Sequence, residues 1–515
     1  MHSTVAPTDP HPRRWLALGV LCLSLLLVVL DNTILNVALP TLVDELDAST
    51  SDLQWIVDSY VLVFAGLLLT AGSLGDRFGR RRSLAAGLTV FGVGSVLAAF
   101  SGSAGALIGT RALMGLGAAF VMPATLSIIT NLFTDPRERA QAIAAWAGVA
   151  GLGVAIGPVT GGYLLEHFWW GSVFLVNVPF LVAALVAGRL LLPESKDPGQ
   201  SRLDPVGAVL SIVGLVALVW TIIEAPEAGW TSGSTLAGGA LALAVGATFI
   251  WWERRIDHPM LDVTFFADRR FSVATGSITL VMFAMFGSLF ILTQLLQLVL
   301  GYSALEAGIR MLPVAGTMFV VAPLSAKVVE KVGTKAVVGS GMAIVALGLL
   351  LTSRVGAADG YGPVALAMVV LAFGMALVMA PATESIMGSL PPAKAGVGSA
   401  VNDTTRELGG ALGVAVLGSL LSSAYSSNMD GAPEAARESL GAAIAIAHTM
   451  GGDAGAALTA VARDAFVDGM GITLAIAAAV ALAGSVLTFL FLPARATAVE
   501  LDVVEEAPGL ALQAA

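Results

Sequence analysis

A chain of 515 residues that is 57% hydrophobic and 12% charged, with a mean hydropathy of +0.86, is too apolar for a soluble protein, in which about 25% of residues are charged. Apolar segments isolated in lipid satisfy their backbone only as helices, so the composition describes an all-α polytopic membrane protein. The single cysteine, Cys22, leaves no disulfide framework and no zinc or iron–sulfur site, and the net charge of −10 comes partly from the stretch 425–468 and the acidic tail Glu500 to Glu506, both expected to be solvated surface.

Fourteen apolar segments reach spanning length. They lie at 15–38, 54–74, 83–100, 105–131, 140–164, 172–192, 205–223, 236–252, 271–299, 308–329, 336–352, 362–387, 397–424 and 470–492. Arg13 and Arg14 before the first span are not followed by a small-residue cleavage site, so this span is expected to be retained. It ends L-D-N-T-I-L-N-V-A-L-P and carries Asp31, Asn32 and Asn36. Asp31 falls about 24 Å from the inner end at about 1.5 Å per residue. A carboxylate in hydrocarbon costs at least a few kcal/mol. It is either satisfied by a neighbouring helix or, the reading favoured here, a titratable group facing a water-filled path.

Asp58, in W-I-V-D-S-Y, sits near the outer end of the second span. The loop that follows reads G-S-L-G-D-R-F-G-R-R-R, Gly72 to Arg82. Gly72 and Gly79 allow close approach and a tight turn. Asp76, Arg77 and Arg80 can latch this corner to a neighbouring helix end, where charge meets dipole. Arg111 opens R-A-L-M-G-L-G-A-A in the fourth span, at a depth similar to Asp31. The fifth span holds Gly153, Gly157 and Gly161 in successive G-x-x-x-G steps, with Pro158 and Gly162. Such spacing lets helix backbones touch, and the proline bends its helix. Glu384 lies in the twelfth span. Asp403 and Glu407 share a face of the thirteenth with Arg406 beside them.

An internal repeat sets the domain organisation. P-A-T-x-S-I recurs from Pro123 to Pro381, and D-R-F-G-R-R from Asp76 recurs as E-K-V-G-T-K from Glu330, at nearly the same offset. Glu384 replaces Leu126 in this register. The expected division is a six-helix half at 1–200, two inserted helices at 201–262, a second six-helix half at 263–495 and an acidic tail at 496–515. With both termini inside, most of the 26 basic residues, including Arg77, Arg80, Arg81, Arg82, Arg137, Arg139 and Arg189, fall on the inner side.

Taken together, the motifs at Asp31, Gly72–Arg82, Arg111–Ala119, Gly153–Gly162 and the W-G-S-V-F-L-V-N-V-P stretch resemble the 14-helix drug:proton antiporter family of the major facilitator superfamily, over essentially the whole chain. The resemblance implies the major facilitator fold, two six-helix bundles plus two inserted helices. It implies that spans 1, 2, 4 and 5 line a cavity, that the 72–82 loop controls the conformational switch, and that the span-5 glycines mark an antiporter. Gln is frequent in that family where this chain has Met114.

The expected function is proton-coupled efflux of lipophilic drugs, organic cations among them, by alternating access. A proton-coupled transporter of one specific metabolite and a lipid flippase are the alternatives. The chain is expected to be no enzyme, because it lacks a soluble catalytic domain and a phosphate-binding G-x-x-x-x-G-K-S/T loop. It needs no cofactor, the proton motive force being the drive. Expected partners are protons, small lipophilic and cationic substrates and membrane lipids, with no nucleic acid, for a monomer of the cytoplasmic membrane. Proton coupling and substrate charge are assigned to Asp31, Asp58, Arg111, Glu384, Asp403, Arg406 and Glu407, of which the last three are open to a second reading as a cytoplasmic gate. Asn32, Asn36, Met114, Trp146, Phe283, Phe286 and Phe290 are candidate cavity-lining residues.

Overall fold

The computed structural model describes residues 12–46, 48, 50–196 and 204–493. The acidic tail and the side chain of Asn36 lie outside the described residues. Among the described residues, fourteen helices are long and apolar enough to cross a membrane, as the hydropathy pattern predicts. The first group is α1 (Arg14–Leu46), α2 (Thr50–Phe78), α3 (Arg80–Ala99), α4 (Ala104–Leu132), α5 (Pro136–His167) and α6 (Asn177–Leu191). The pair α7 (Pro205–Ala228) and α8 (Gly233–Glu253) follows. The second group is α9 (Arg269–Gln294), α10 (Ala304–Val332), α11 (Thr334–Thr352), α12 (Tyr361–Met387), α13 (Ala395–Asn428) and α14 (Gly452–Phe491). Several starts are capped by short polar side chains. Asp135 accepts the backbone N–H groups of Arg137 and Glu138 at the head of α5, and these hold its carboxyl below the usual range.

Two large buried clusters form. One runs from Ala17 to Leu192 with a few residues from later helices, and the other from Phe249 to Leu492 with Leu69. Within the first group α4 packs on α2 and α3, and α5 on α1; within the second, α12 packs on α10 and α11, and α13 on α9. Between the groups, α5 packs on α10 and α2 on α13. In the repeat register α13 corresponds to α5 and α10 to α2, so these two contacts are copies related by a pseudo-two-fold axis. The inserted α7 lies on α2 and α13, beside one of the copies, with α8 packed on α7.

Glycine determines how closely these helices approach. A Cβ at Gly157 would collide with Thr33 Oγ1 of α1, and one at Gly153 would lie 2.8 Å from Val29 Cγ1. Gly161 faces Ile34 of the same helix. Pro158 and Gly162 point the other way, toward Gly308 and Leu305 of α10. α5 is therefore a two-sided helix, sealed to α1 through its G-x-x-x-G steps and to α10 through the residues beside them. The second group repeats the device: Gly409 and Gly413 of α13 lie against the backbone carbonyls of Thr279 and Phe283 in α9.

The structure corrects one expectation. The stretch 425–468 is not plain solvated loop. It contains the helices Glu434–Glu438 and Leu440–Met450 and the first turns of α14. At 40 residues, α14 is about 60 Å long, twice the hydrocarbon thickness. The reason is local: Leu440, Ala443 and Ala447 fall on one buried face, Tyr425 Oη donates to the Ala436 carbonyl, and Arg463 Nε donates to Leu298 O at 3.0 Å. Charged residues flank Leu440–Met450, at Glu434, Arg437, Glu438 and Asp453, which is why composition alone read as loop.

Gly157→Leu is expected to cost about 1–3 kcal/mol of stability through overpacking of the α1–α5 seam. The melting temperature of the purified protein in detergent should fall by several degrees. Gly246→Leu, where an added Cβ meets nothing within 4 Å, should leave it unchanged, and equal melting of the two variants would show that the seam is loose.

Candidate functional site

Four features stand out: a buried charge cluster, a cavity between the two groups of helices, a polar relay beside it, and a latch at the basic end.

The charge cluster lies inside the first group. Arg111 of α4 is 1% exposed and Asp31 of α1 2%. Arg111 Nη1 and Asp31 Oδ2 are 2.5 Å apart. The guanidinium also donates to Asn32 Oδ1 at 3.4 Å and to the Ile56 carbonyl at 3.3 Å, and it lies 4.3 Å from the Tyr60 ring centroid. Met114 Sδ is 4.0 Å from Nη1. The second Asp31 oxygen accepts from Asn177 Nδ2 at 2.9 Å. A buried ion pair persists only when its remaining lone pairs and N–H groups are satisfied, and four helices, α1, α2, α4 and α6, supply those partners here. Asp58 is half-buried on α2, between Ile56 and Tyr60. Asn177 and Tyr60 were not singled out from sequence. Asn177 stands in the apolar F-L-V-N-V-P stretch, where an amide in hydrocarbon is itself a signal.

The cavity, about 130 Å³, opens between α1, α4, α5, α9, α10, α12 and α13. Seven methionines line it: Met122, Met282, Met285, Met318, Met368, Met375 and Met379. Phe286 joins them, and Arg406 and Glu407 are its charged members. Thioethers on unbranched chains re-pack around ligands of different shape. Of the residues expected to line a cavity, Phe286 does so. Trp146, Phe283 and Phe290 do not, because Trp146 is fully buried beneath Arg406, Phe283 packs in the second cluster and Phe290 is substantially exposed. Asn32 and Met114 serve Arg111 instead. Asp31 does not line the cavity either, because Arg111 draws it into the core of its own bundle. Tyr60 lies between the two regions, within electrostatic reach of Asp31, Arg111 and Glu407.

The relay runs through the repeat. Trp146 Nε1 donates to Thr125 Oγ1 at 3.2 Å. Arg406 lies 5.0 Å over the Trp146 ring and donates to Thr383 Oγ1 at 3.3 Å. Thr125 and Thr383 are the threonines of the two P-A-T-x-S-I copies. Thr383 donates to Asn402, and Asn402 donates to Asp403 at 3.2 Å. Arg406 is thus held by an aromatic face across the interface and a hydroxyl of its own bundle. Among the described residues it forms no ion pair within 4.0 Å with Asp403 or Glu407, so the three charges are neighbours and not a closed ion-pair network in this state.

The latch joins the two groups at the end bearing the basic loops. Gly79 (φ +117°) makes the break between α2 and α3. Arg80 binds Asp76 at 2.6 Å and donates to the carbonyls of Pro392 and Ala393. Asp76 accepts from the backbone N–H groups of Gly396 and Val397, the free donors at the start of α13. A Cβ at Gly72 would lie 2.5 Å from the Gly396 carbonyl. The Arg77 guanidinium lies over the Phe78 ring, 5.4 Å from its centroid. Glu384 belongs here too: it pairs with Arg139 of α5 at 2.7 Å, across the same interface.

Two bundles related by the internal repeat, a cavity between them and breakable pairs at one end are the parts of a secondary transporter. The family model described as the Major Facilitator Superfamily matches residues 21–414, and the chain belongs to that superfamily. It is 40% identical over 492 residues to the multidrug efflux pump LfrA of Mycolicibacterium smegmatis, covering 94% of this chain and 97% of that one. It is 36% identical to the tetracenomycin C resistance and export protein of Streptomyces glaucescens, with coverages of 91% and 90%. It is also 36% identical to the methyl viologen resistance protein SmvA of Salmonella typhimurium, with coverages of 88% and 93%. The fold is similar to that of the human organic anion transporter MFSD10, with a TM-score of 0.64 at 16% identity over 93% of this chain and 100% of that one.

Arg139→Gln should loosen the latch while Asp76 and Arg80 keep their contacts. A half-buried pair of this kind contributes about 1–2 kcal/mol, enough to shift a two-state population about 5–30-fold. Spin labels at Thr134 and Lys331, in a Cys22→Ser background, should report a new longer distance in the variant. An unchanged distance distribution would mean that the pair does not hold the basic end closed.

Proposed function

We propose that this protein exports lipophilic drugs, organic cations among them, in exchange for protons by alternating access. The observation that carries the reading is the methionine-lined cavity between the two bundles, with Glu407 at its wall. An adaptable apolar surface accepts varied lipophilic molecules, and one carboxylate in a low-dielectric cavity favours those with positive charge. The relatives are named for drug efflux and export, and methyl viologen, in the name of one, is a dication.

The remaining roles belong to the same proposal. Asp31, with Arg111 and Asn177 around it, is the proton site, and Asp58 and Tyr60 stand on the route between it and the outer surface or the cavity. Protonation of Asp31 would free Arg111 for its other acceptors, and Tyr60 couples that change to Glu407. Asp403 and Arg406 respond to substrate at the cavity wall. Asp76, Arg80, Arg139 and Glu384 close the cytoplasmic side, and the two glycine seams keep each bundle tight while α5 slides on α10. The halves 1–200 and 263–495 move as bodies, with 201–262 beside the α2–α13 contact. Both termini and the basic loops face the cytoplasm, across the inner membrane of a bacterium, and the unit is a monomer driven by the proton motive force without a cofactor.

Asp31→Asn is the direct test. Asparagine keeps one acceptor for Arg111 but leaves its charge without a counter-ion, so the variant should be less stable and its efflux is normalised to inserted protein; on that basis efflux driven by an imposed pH gradient in vesicles should fall at least tenfold. Full coupled efflux by this variant would remove Asp31 from the mechanism. For substrate charge, Glu407→Gln should lose resistance to cationic compounds more than to neutral ones, because a buried carboxylate offers a cation both attraction and an acceptor. Equal losses across both classes, normalised to protein level, would place Glu407 in the gate instead.

A further inference from the structure

At the basic end of the first bundle, on its lipid-facing side, a groove of about 660 Å³ runs between α3 and α6. Its floor and walls are apolar, with Leu84 and Leu88 from α3 and Ala184, Leu185 and Leu192 from α6. Small side chains at Ala85, Ala184 and Gly188 leave the space open. Its rim carries Arg81 and Arg82, in the first turn of α3, and Arg189, in the last turn of α6. From Arg81 to Leu88 the groove descends about 10 Å into the hydrocarbon layer, at about 1.5 Å per residue. Three guanidinium groups face one carboxylate, Glu194, at 3.6 Å from Arg81 and 3.7 Å from Arg82. The side chain of Arg82 is 77% exposed and Arg189 is exposed, so both have donors to offer. The rim therefore holds net positive charge directly above an apolar slot, at the level where lipid phosphates lie.

We propose that this groove is a binding site for an anionic phospholipid of the surrounding leaflet. Its phosphate lies on Arg82, Arg189 and the outer edge of Arg81, and the first methylenes of its acyl chains fill the space along Leu84 and Leu88. Charge complementarity selects the ligand: a zwitterionic headgroup brings a cation of its own to a rim already positive, whereas phosphatidylglycerol or cardiolipin brings only negative charge. Arg81 adjoins Arg80 of the latch, and its Nη1 donates to the Leu192 carbonyl at 3.2 Å. An occupied groove thus ties the α3 start to the α6 end beside the switch loop. The leaflet is cytoplasmic if the orientation proposed above holds; binding itself does not depend on that orientation or on the transported substrate.

The test is native mass spectrometry of the full-length protein released from micelles doped with phosphatidylglycerol, cardiolipin or phosphatidylcholine. The two anionic lipids should remain bound and phosphatidylcholine should not. Arg82→Gln with Arg189→Gln should weaken anionic-lipid binding about 30-fold, at about 1 kcal/mol per arginine. Lys331→Gln with Lys335→Gln, which removes the same charge elsewhere on the chain, should leave it unchanged. Both arginines project outward, so the double variant should keep the wild-type melting temperature. Equal retention of phosphatidylcholine, unchanged binding in the arginine variant, the same loss in the lysine variant, or displacement of the lipid by millimolar inorganic phosphate would each overturn the proposal.

Discussion

A guanidinium in the interior of a helical bundle has to be neutralised and hydrogen-bonded on every side, and Arg111 sets that requirement for the first half of this protein. Asp31 supplies the charge, Asn32 and the Ile56 carbonyl accept further N–H groups, and Tyr60 offers its ring. Asn177 then satisfies the other oxygen of Asp31 and touches Ser95 at 3.4 Å. Five of the six helices are registered to one another by this single constraint. Removing one partner of such a pair costs about 3–5 kcal/mol because the other is left charged and buried. The same property suits a coupling site, since a proton delivered to Asp31 changes the charge balance of five helices at once.

The second organising fact is pseudo-symmetry with deliberate departures. Both halves use glycines to seat one helix on another, α5 on α1 and α13 on α9. Both carry a threonine in P-A-T-x-S-I, and these two threonines hold Trp146 and Arg406, which stack on each other between the halves. The departures are the charges. Arg111 and Asp31 lack counterparts in the second half, and Glu384 replaces Leu126. Because the packing is shared and the charges are not, the symmetric parts build the two bodies and the asymmetric parts bias which end is closed. In the state described, the basic end is held by Asp76, Arg80, Arg139 and Glu384.

Much of this is readable from the chain. Spans follow from hydropathy, the two-half architecture from the repeat, and Asp31, Arg111 and the Gly72–Arg82 loop from the cost of charge and the need for glycine. Four things were not readable, each for a physical reason. Helix rotation decides whether a side chain faces a cavity or its own bundle, so Asp31, Trp146, Phe283 and Phe290 were expected at a cavity wall that methionines in fact occupy. Methionine is an ordinary core residue by composition, and only the convergence of seven from four helices marks the cavity. Glu384 looked like a free acid in a span, because its partner Arg139 lies 245 positions away. The helices within 425–468 were hidden because Glu434–Glu438 and Leu440–Met450 are too short to read as spans and the first turns of α14 carry Asp453, Arg463, Asp464 and Asp468.

The central claim is exchange of a proton for a lipophilic cation, and it is tested most directly by measuring both fluxes on the unmodified protein in sealed proteoliposomes. A pH-sensitive dye inside the vesicles should report proton movement opposite to a fluorescent lipophilic cation moving down its own gradient, with no added ion gradient. Imposing a pH gradient alone should then drive the cation uphill. Cation movement with no change in internal pH, or uphill transport that persists when a protonophore collapses the gradient, would contradict the account.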